Sequence, residues 1–269
     1  MLTSLGLFRF RLVVVFCVVF LAGCKRDALM HKYAPPQAQE EAERYFNQLR
    51  DHQMDQLEGE LDTSLGTPEE IRETLAKMVE VFPQGAPKSV KLVGYNRVEV
   101  ADVETNSMSL EYEFPQKWLI ADVTTQKRDG FTTITGFHLN QVGAPLEVVN
   151  RFTLRGKGVA HYALLLLWVG AILLQLFAFY ECIRTEMKEL KWFWLLFIAF
   201  GVGRVTMNWT TSETSFRLLN VQIPASMAWA AFYGPWILSV SLPVGAIVFL
   251  AKRRRLAASA AEARKSAIG

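Results

Sequence analysis

The feature that most constrains this chain is an apolar segment near its middle. Val159 to Tyr180 is a run of 22 residues without a formal charge. A helix rises about 1.5 Å per residue, so about 20 apolar residues cross a hydrocarbon core about 30 Å thick. A buried helix of a soluble protein is the alternative, but two more apolar runs follow and favour a membrane. Residues 159–180 are therefore predicted to form a first transmembrane helix.

The second apolar run covers residues 192–208 and is predicted to be another transmembrane helix. Trp192 and Trp209 lie at its two ends, and Trp is enriched where a helix meets the membrane surface. Arg204 lies within the run, and a charge inside a bilayer is costly and often functional. Its position near the end also allows its side chain to reach the surface. Arg204 is therefore either a membrane-embedded functional charge or a snorkelling residue.

The third predicted span covers residues 226–251, where Pro235 and Pro243 are expected to kink the helix. It is followed by a basic tail at residues 252–269, with six Lys and Arg and one acidic residue. Basic segments beside a span stay in the cytoplasm. Three spans then place residue 158 outside the cytoplasm. An anionic lipid surface suits this tail better than a nucleic acid does.

The N-terminus has the pattern of a bacterial export signal. Residues 1–23 contain Arg9 and Arg11, then a 12-residue apolar core from Leu12 to Gly23. The core ends in Leu-Ala-Gly followed by Cys24, which resembles the lipobox of bacterial lipoproteins. This resemblance implies cleavage before Cys24 and attachment of lipid to that residue. An uncleaved N-terminal anchor is the alternative, and both export the chain from Lys25 onward.

A tether at residues 25–35 and a domain at residues 36–150 are predicted to follow. Residues 25–157 contain 16 Lys and Arg against 21 Asp and Glu, a net charge of −5. An acidic domain gives no support to nucleic-acid binding. About 130 residues suffice for one domain with its own core.

Two helices are predicted at the start of this domain. A mainly apolar stripe steps by three or four positions, which places it on one helical face. Its members are Ala38, Ala42, Phe46, Leu49, Gln53, Leu57 and Leu61. The second helix begins with a capping-box pattern, in which Thr67 precedes Pro68 and Glu70 lies three residues after Thr67. Its apolar residues continue to Phe82 and Pro83 is expected to end it.

An alternation with period two then predicts strands. Apolar and polar side chains alternate strictly between Ser107 and Phe114, which indicates a sheet covered on one face. Further strands are predicted at 90–100, 118–126 and 131–139, with Asp129-Gly130 as a two-residue hairpin turn. The apolar residues of the alternating strand are expected to face the helices: Met108, Leu110, Tyr112 and Phe114.

Two helices followed by four antiparallel strands resemble the NTF2-like superfamily over residues 36–142. The resemblance rests on element order and a long first helix, and it implies a cone-shaped α+β domain. No catalytic motif of that superfamily can be placed on this chain. The predicted fold class is therefore an α+β domain of two helices on a four-stranded antiparallel sheet, followed by three transmembrane helices.

The candidates for chemistry are few. None of the four His lies three or four residues from another, and no Cys-rich cluster occurs, so no metal or cofactor is predicted. Asp122 interrupts an apolar strand, and His138 lies on the strand predicted to pair with it. Together they could transfer a proton. The alternative is that Asp122 lies on the solvent-facing side of the sheet.

These patterns predict a noncatalytic lipoprotein of the bacterial inner membrane, with a periplasmic domain and a cytoplasmic C-terminus. The domain is expected to bind, sense or assemble, with envelope proteins or a small ligand as partners besides the bilayer. An enzyme acting in the cone, with Asp122 and His138, is the alternative. A transporter is disfavoured because three spans form little of a pore.

Overall fold

The computed structural model describes residues 34–83, 85–187 and 191–266. The chain forms two compact units, Met1–Leu146 and Glu147–Gly269. The predicted signal peptide at 1–23, the lipidation site at Cys24 and most of the tether at 25–35 lie outside the described residues.

The first unit begins with helices. They are α1 (Pro36–Arg50), α2 (Met54–Glu60), a 3-10 turn (Thr63–Leu65) and α3 (Pro68–Glu80). The predicted capping box of α3 is confirmed. The Glu70 amide donates to Thr67 Oγ1 at 3.3 Å, and the Thr67 amide donates to Glu70 Oε2 at 2.9 Å. Two of the amides that the first turn of a helix leaves unpaired are therefore satisfied.

The long first helix expected from the apolar stripe is broken into α1 and α2. The break lies at residues 51–53, where His52 adopts a left-handed conformation with φ of 60°. Leu49 and Leu57, on either side of the break, are both fully buried in the same core. The turn keeps α1 and α2 against the same core, so the spacing of three or four residues along the stripe continues across it. The stripe alone therefore does not reveal the break.

The sheet of the first unit is an antiparallel meander. Its strands are β1 (Ser89–Val100), β2 (Val103–Glu113), β3 (Trp118–Arg128) and β4 (Phe131–Val142), and they lie side by side in chain order. Asp129 and Gly130 form the β3–β4 turn with φ of 53° and 83°. Two successive positive φ angles suit the tight hairpin turn that Asp-Gly favours.

The core of the first unit lies between the helices and one face of this sheet. Met108, Leu110 and Tyr112 of β2 and Phe114, which directly follows β2, are all buried in it, as the alternation predicts. The Tyr112 ring stacks on Phe46 of α1 with ring centroids 3.5 Å apart. Glu111, expected on the solvent face, is instead 7% exposed, because its Oε2 accepts a 2.6 Å hydrogen bond from the Leu146 amide. The chain end of this unit therefore covers part of the second face.

An ion pair joins α1 to α2. Arg44 donates from both terminal nitrogens to the two oxygens of Glu60, at 2.7 and 2.9 Å, and Gln48 Nε2 donates to Oε1 at 3.2 Å. Burial raises the pKa of Glu60, but the hydrogen bonds from Arg44 and Gln48 outweigh it and hold the pKa below its ordinary 4.5. A lowered pKa in the folded state stabilises the fold above pH 4.5, and this contribution is lost as the pH falls through the folded value.

We therefore expect acid to weaken the α1–α2 contact. Both side chains are partly exposed, so the pair is expected to contribute about 1 kcal/mol or less at neutral pH. Amide hydrogen exchange of α2 in the full-length protein, measured from pH 7 down to about pH 3 so that the window below pH 4.5 is covered, tests this. Wild type should lose protection toward acid more steeply than Glu60→Gln. Equal slopes would show that Glu60 does not couple proton binding to folding.

The second unit begins within a short helix, α4 (Leu146–Val149), and has three further helices and four strands in the described residues. The helices are α5 (Val159–Arg184), α6 (Lys191–Ile198) and α7 (Val244–Ser266). The strands are β5 (Gly201–Asn208), β6 (Thr214–Gln222), β7 (Ser226–Ala230) and β8 (Trp236–Leu242). They form an antiparallel sheet in the order β6-β5-β8-β7.

Helix α5 organises this unit. Leu164 and Ala171, in its first half, pack on the sheet through Met207 and Leu238. Its second half packs on α6 and α7, where Cys182 is fully buried. One helix thus supports a sheet along part of its length and two helices along the rest.

The predicted fold class is wrong in this half of the chain, because only α5 among the described helices is long and apolar enough to cross a membrane. Residues 192–208 form α6 and then β5, and residues 226–251 form β7, β8 and the start of α7. Apolar content alone does not distinguish a short buried strand from a helix. The chain leaves helical geometry after Ile198, where α6 ends, and returns to it only at Val244, directly after Pro243.

Candidate functional site

The two predicted acid–base residues are neighbours in the first unit. Asp122 on β3 pairs in register with His138 on β4, and Ser109 on β2 pairs with Asp122 from the other side. The Ser109 hydroxyl donates to Asp122 Oδ1. Leu110 and Ala121, the adjacent residues, are fully buried in the core. Ser109, Asp122 and His138 thus form a polar row across three strands. Since side chains alternate along a strand, this row lies on the sheet face away from the helices.

The order of this row limits its chemistry. An activated hydroxyl needs a base in contact with it, and that base is in turn oriented by a third group. Here the carboxylate of Asp122 lies between the hydroxyl of Ser109 and the exposed imidazole of His138. Serine therefore contacts the carboxylate and not the imidazole. The row forms a polar outer surface of the sheet, and the space between helices and sheet is filled by core side chains.

A concave surface lies elsewhere in the first unit, where α1 ends near the end of α3. It is a groove of about 460 Å³, within the size range of small-molecule sites. Arg50 Nε donates to Asp51 Oδ1 at 2.8 Å, and this hydrogen bond holds the pKa of Asp51 below its ordinary range. The described residues that line the groove are Arg50, Asp51, His52, Val79, Phe82, Pro83, Gly85 and Ala86.

This groove combines a charged rim with an apolar wall formed by Val79 and Phe82. Sequence reasoning missed it because the spacing of three or four residues continues across the break through Leu49, Gln53 and Leu57. The available signal was the polar pair Asp51-His52 inside an otherwise helical pattern. A ligand that binds the first unit would contact a concave surface at this groove and a flat surface at the polar row that contains Asp122.

Arg204 does not lie in a membrane-spanning helix, contrary to its predicted place in a second span. It lies in β5, where its Nε donates to Ser239 Oγ at 3.1 Å. Its guanidinium carbon lies 5.4 Å from the centre of the Trp229 ring, which is a cation–π distance. A strand of the second sheet therefore positions this charge.

Comparison of the chain with protein-family models, with curated proteins and with solved structures finds no match. The resemblance of the first unit to the NTF2-like superfamily therefore stays a prediction, and the long first helix on which it rests is broken at His52. Within the described ranges, no three His, Cys, Asp or Glu side chains are grouped so that they could hold a metal ion.

Proposed function

We propose that this chain is a noncatalytic binding and assembly module of the bacterial envelope, held in the inner membrane by its second unit. The observation that supports the anchor is the apolar surface of α5. Leu166, Leu167 and Leu173 are 73%, 63% and 60% exposed. Apolar surface of this extent is unfavourable in water and favourable against lipid.

The dimensions of α5 fit this role. Its 26 residues rise about 39 Å, more than the hydrocarbon thickness of about 30 Å. Only 22% of its 18-residue apolar window is buried by the rest of the protein. A core helix of a soluble protein would be covered on most sides. The exposed side of α5 is therefore proposed to face lipid.

The charges at one end of the second unit indicate an orientation. Arg184 ends α5, and Arg253 of α7 forms a 2.6 Å ion pair with Glu181 in the last turn of α5. Residues 252–255 are all basic. Basic residues beside a span stay in the cytoplasm. We therefore propose that the end of α5 near Arg184 faces the cytoplasm and that the residues before Val159 lie in the periplasm.

The noncatalytic part of the proposal is supported by the first unit. Its interior is filled, and the Asp122 row leaves Ser109 without a contacting imidazole. The groove beside His52 and the flat polar face of the sheet remain as surfaces for a ligand or an envelope protein. Both are compatible with the periplasmic side proposed for the residues before Val159.

Membrane flotation tests the anchor. Residues 1–24 are replaced by an export signal that is removed without lipid attachment, so that no N-terminal anchor remains. We expect this protein to float with membranes in a density gradient after alkaline washing. The double variant Leu166→Asp/Leu173→Asp should instead be recovered in the soluble fraction, because two charges on the exposed face of α5 oppose insertion.

The matched control is Phe131→Asp, which alters a 77% exposed apolar residue of the first unit. It should float like the parent protein. Recovery of the parent protein in the soluble fraction would contradict the proposal, because the second unit would then not hold the chain in a membrane.

A further inference from the structure

Two arginines lie side by side on the second sheet. Arg204 on β5 and Arg217 on β6 are register partners, so their side chains extend from the same face. Val205 and Met207, the alternate residues of β5, pack toward α5. The arginines therefore lie on the face away from α5. No described carboxylate lies within ion-pair distance of either, although like charges in direct opposition repel.

A hydrogen-bond chain starts at Arg204 and ends in an unpaired donor. Arg204 Nε donates to Ser239 Oγ, and the Ser239 hydroxyl donates to Gln222 Oε1 at 2.6 Å. Arginine has only donors, so Ser239 Oγ accepts from Arg204. Because the Ser239 hydroxyl donates to Gln222 Oε1, the Gln222 amide nitrogen is left as the free end. Ser241 Oγ also donates to Gln222 Oε1, at 3.2 Å.

The Gln222 side chain is buried, with 7% exposure, and its Nε2 has no partner. Buried amide donors are almost always paired, so an acceptor is expected beside this one. The terminal nitrogens of Arg204 and the whole Arg217 guanidinium also have no hydrogen-bond acceptor in the described part of the chain. This face therefore presents donors and positive charge without an acceptor.

We propose that Arg204, Arg217 and the Gln222 amide bind a phosphate group. Guanidinium groups match phosphate oxygens in pairs, and a phosphate has enough oxygens for several donors at once. Trp229 lies beside Arg204, and the neighbouring β6 residues Leu218 and Leu219 are exposed. The phosphate can come from a phospholipid headgroup, whose acyl chains suit these apolar residues, or from free phosphate. The site does not depend on the proposed anchor.

Native mass spectrometry of the full-length protein in detergent tests the site with three probes. These are phosphatidylglycerol, diacylglycerol with the same tails, and inorganic phosphate. We expect phosphate-dependent binding, so diacylglycerol should not be retained. Arg217→Gln, on the exposed edge strand, should weaken binding at least tenfold, and Arg204→Gln should do the same. Arg151→Gln, which alters an exposed arginine outside the sheet, is the control and should bind as wild type.

The probes also separate the two sources. Retention of phosphatidylglycerol but not of inorganic phosphate supports a site for a lipid headgroup. Displacement of phosphatidylglycerol by inorganic phosphate supports a site for free phosphate. Should Arg204→Gln fail to fold, Arg217→Gln decides alone. Equal binding by wild type and Arg217→Gln, or binding of neither phosphate probe, overturns the proposal.

Discussion

Replacing Gly245 by alanine is expected to disrupt the second unit. A Cβ at this position would lie 1.6 Å from the Phe197 carbonyl oxygen and 2.6 Å from its carbon. Both are backbone atoms of α6, so neither can move aside as a side chain does. The start of α7 must then separate from α6. We expect a loss of about 3 kcal/mol or more, at or above the upper end of overpacking effects.

Gly170→Ala is the matched control. It lies in α5, and a Cβ there would meet nothing within 4 Å. Alanine is the better helix former by about 0.8–1 kcal/mol, so this variant should be as stable as wild type or more so. Thermal unfolding of the detergent-purified proteins, followed by tryptophan fluorescence, compares the two. Equal melting temperatures would show that α6 and α7 do not cross at Gly245.

Leu110→Ala is expected to destabilise the first unit by about 2–5 kcal/mol. Leu110 is fully buried, and its register partners are Leu92 on β1 and Ala121 on β3. Removing its isobutyl group leaves a cavity in the centre of the sheet face that the helices cover. Asn140→Ala, at an exposed position on β4, should change the free energy of unfolding by about 0.5 kcal/mol or less.

Glu111→Ala distinguishes the buried position of Glu111 in the structure from the solvent-facing position that simple alternation predicts. A solvent-facing glutamate would be neutral to replace, but the buried Glu111 accepts a hydrogen bond from the Leu146 amide. Losing this hydrogen bond should lower the free energy of unfolding by about 1–3 kcal/mol. Amide exchange of the β2 and β3 strands in the full-length protein measures all three variants. A cost for Asn140→Ala equal to that of Leu110→Ala would mean that the strand register is wrong.

The first unit was largely predictable because its local signals agree. Strict alternation between Ser107 and Phe114 fixes which side chains of β2 face the core, and the Thr67–Glu70 pair fixes the start of α3. The break at His52 was not predictable from periodicity, since α2 resumes in phase with α1. Leu146 covers Glu111 because of the path that the chain takes after β4, and a strand pattern carries no information about that path.

The second unit was mispredicted because hydropathy reports composition and not geometry. Residues 192–208 and 226–251 are apolar enough for a membrane, yet the first run contains β5 and the second contains β7 and β8. The pairing of Asp122 with His138 follows from a hairpin that the sequence marks clearly. The pairing of Arg204 with Arg217 depends on strands that the apolar runs conceal, so this site could not be predicted.

The central claim is that the exposed face of α5 lies against lipid, and a spin label tests it most directly. Leu173→Cys is labelled in a protein that lacks residues 1–24 and carries Cys182→Ala, then reconstituted in liposomes. We predict that the label collides readily with oxygen, which partitions into lipid, and rarely with a water-soluble nickel chelate. A label at Phe131→Cys should show the opposite preference. Frequent nickel collisions at residue 173 in the folded protein would contradict the account.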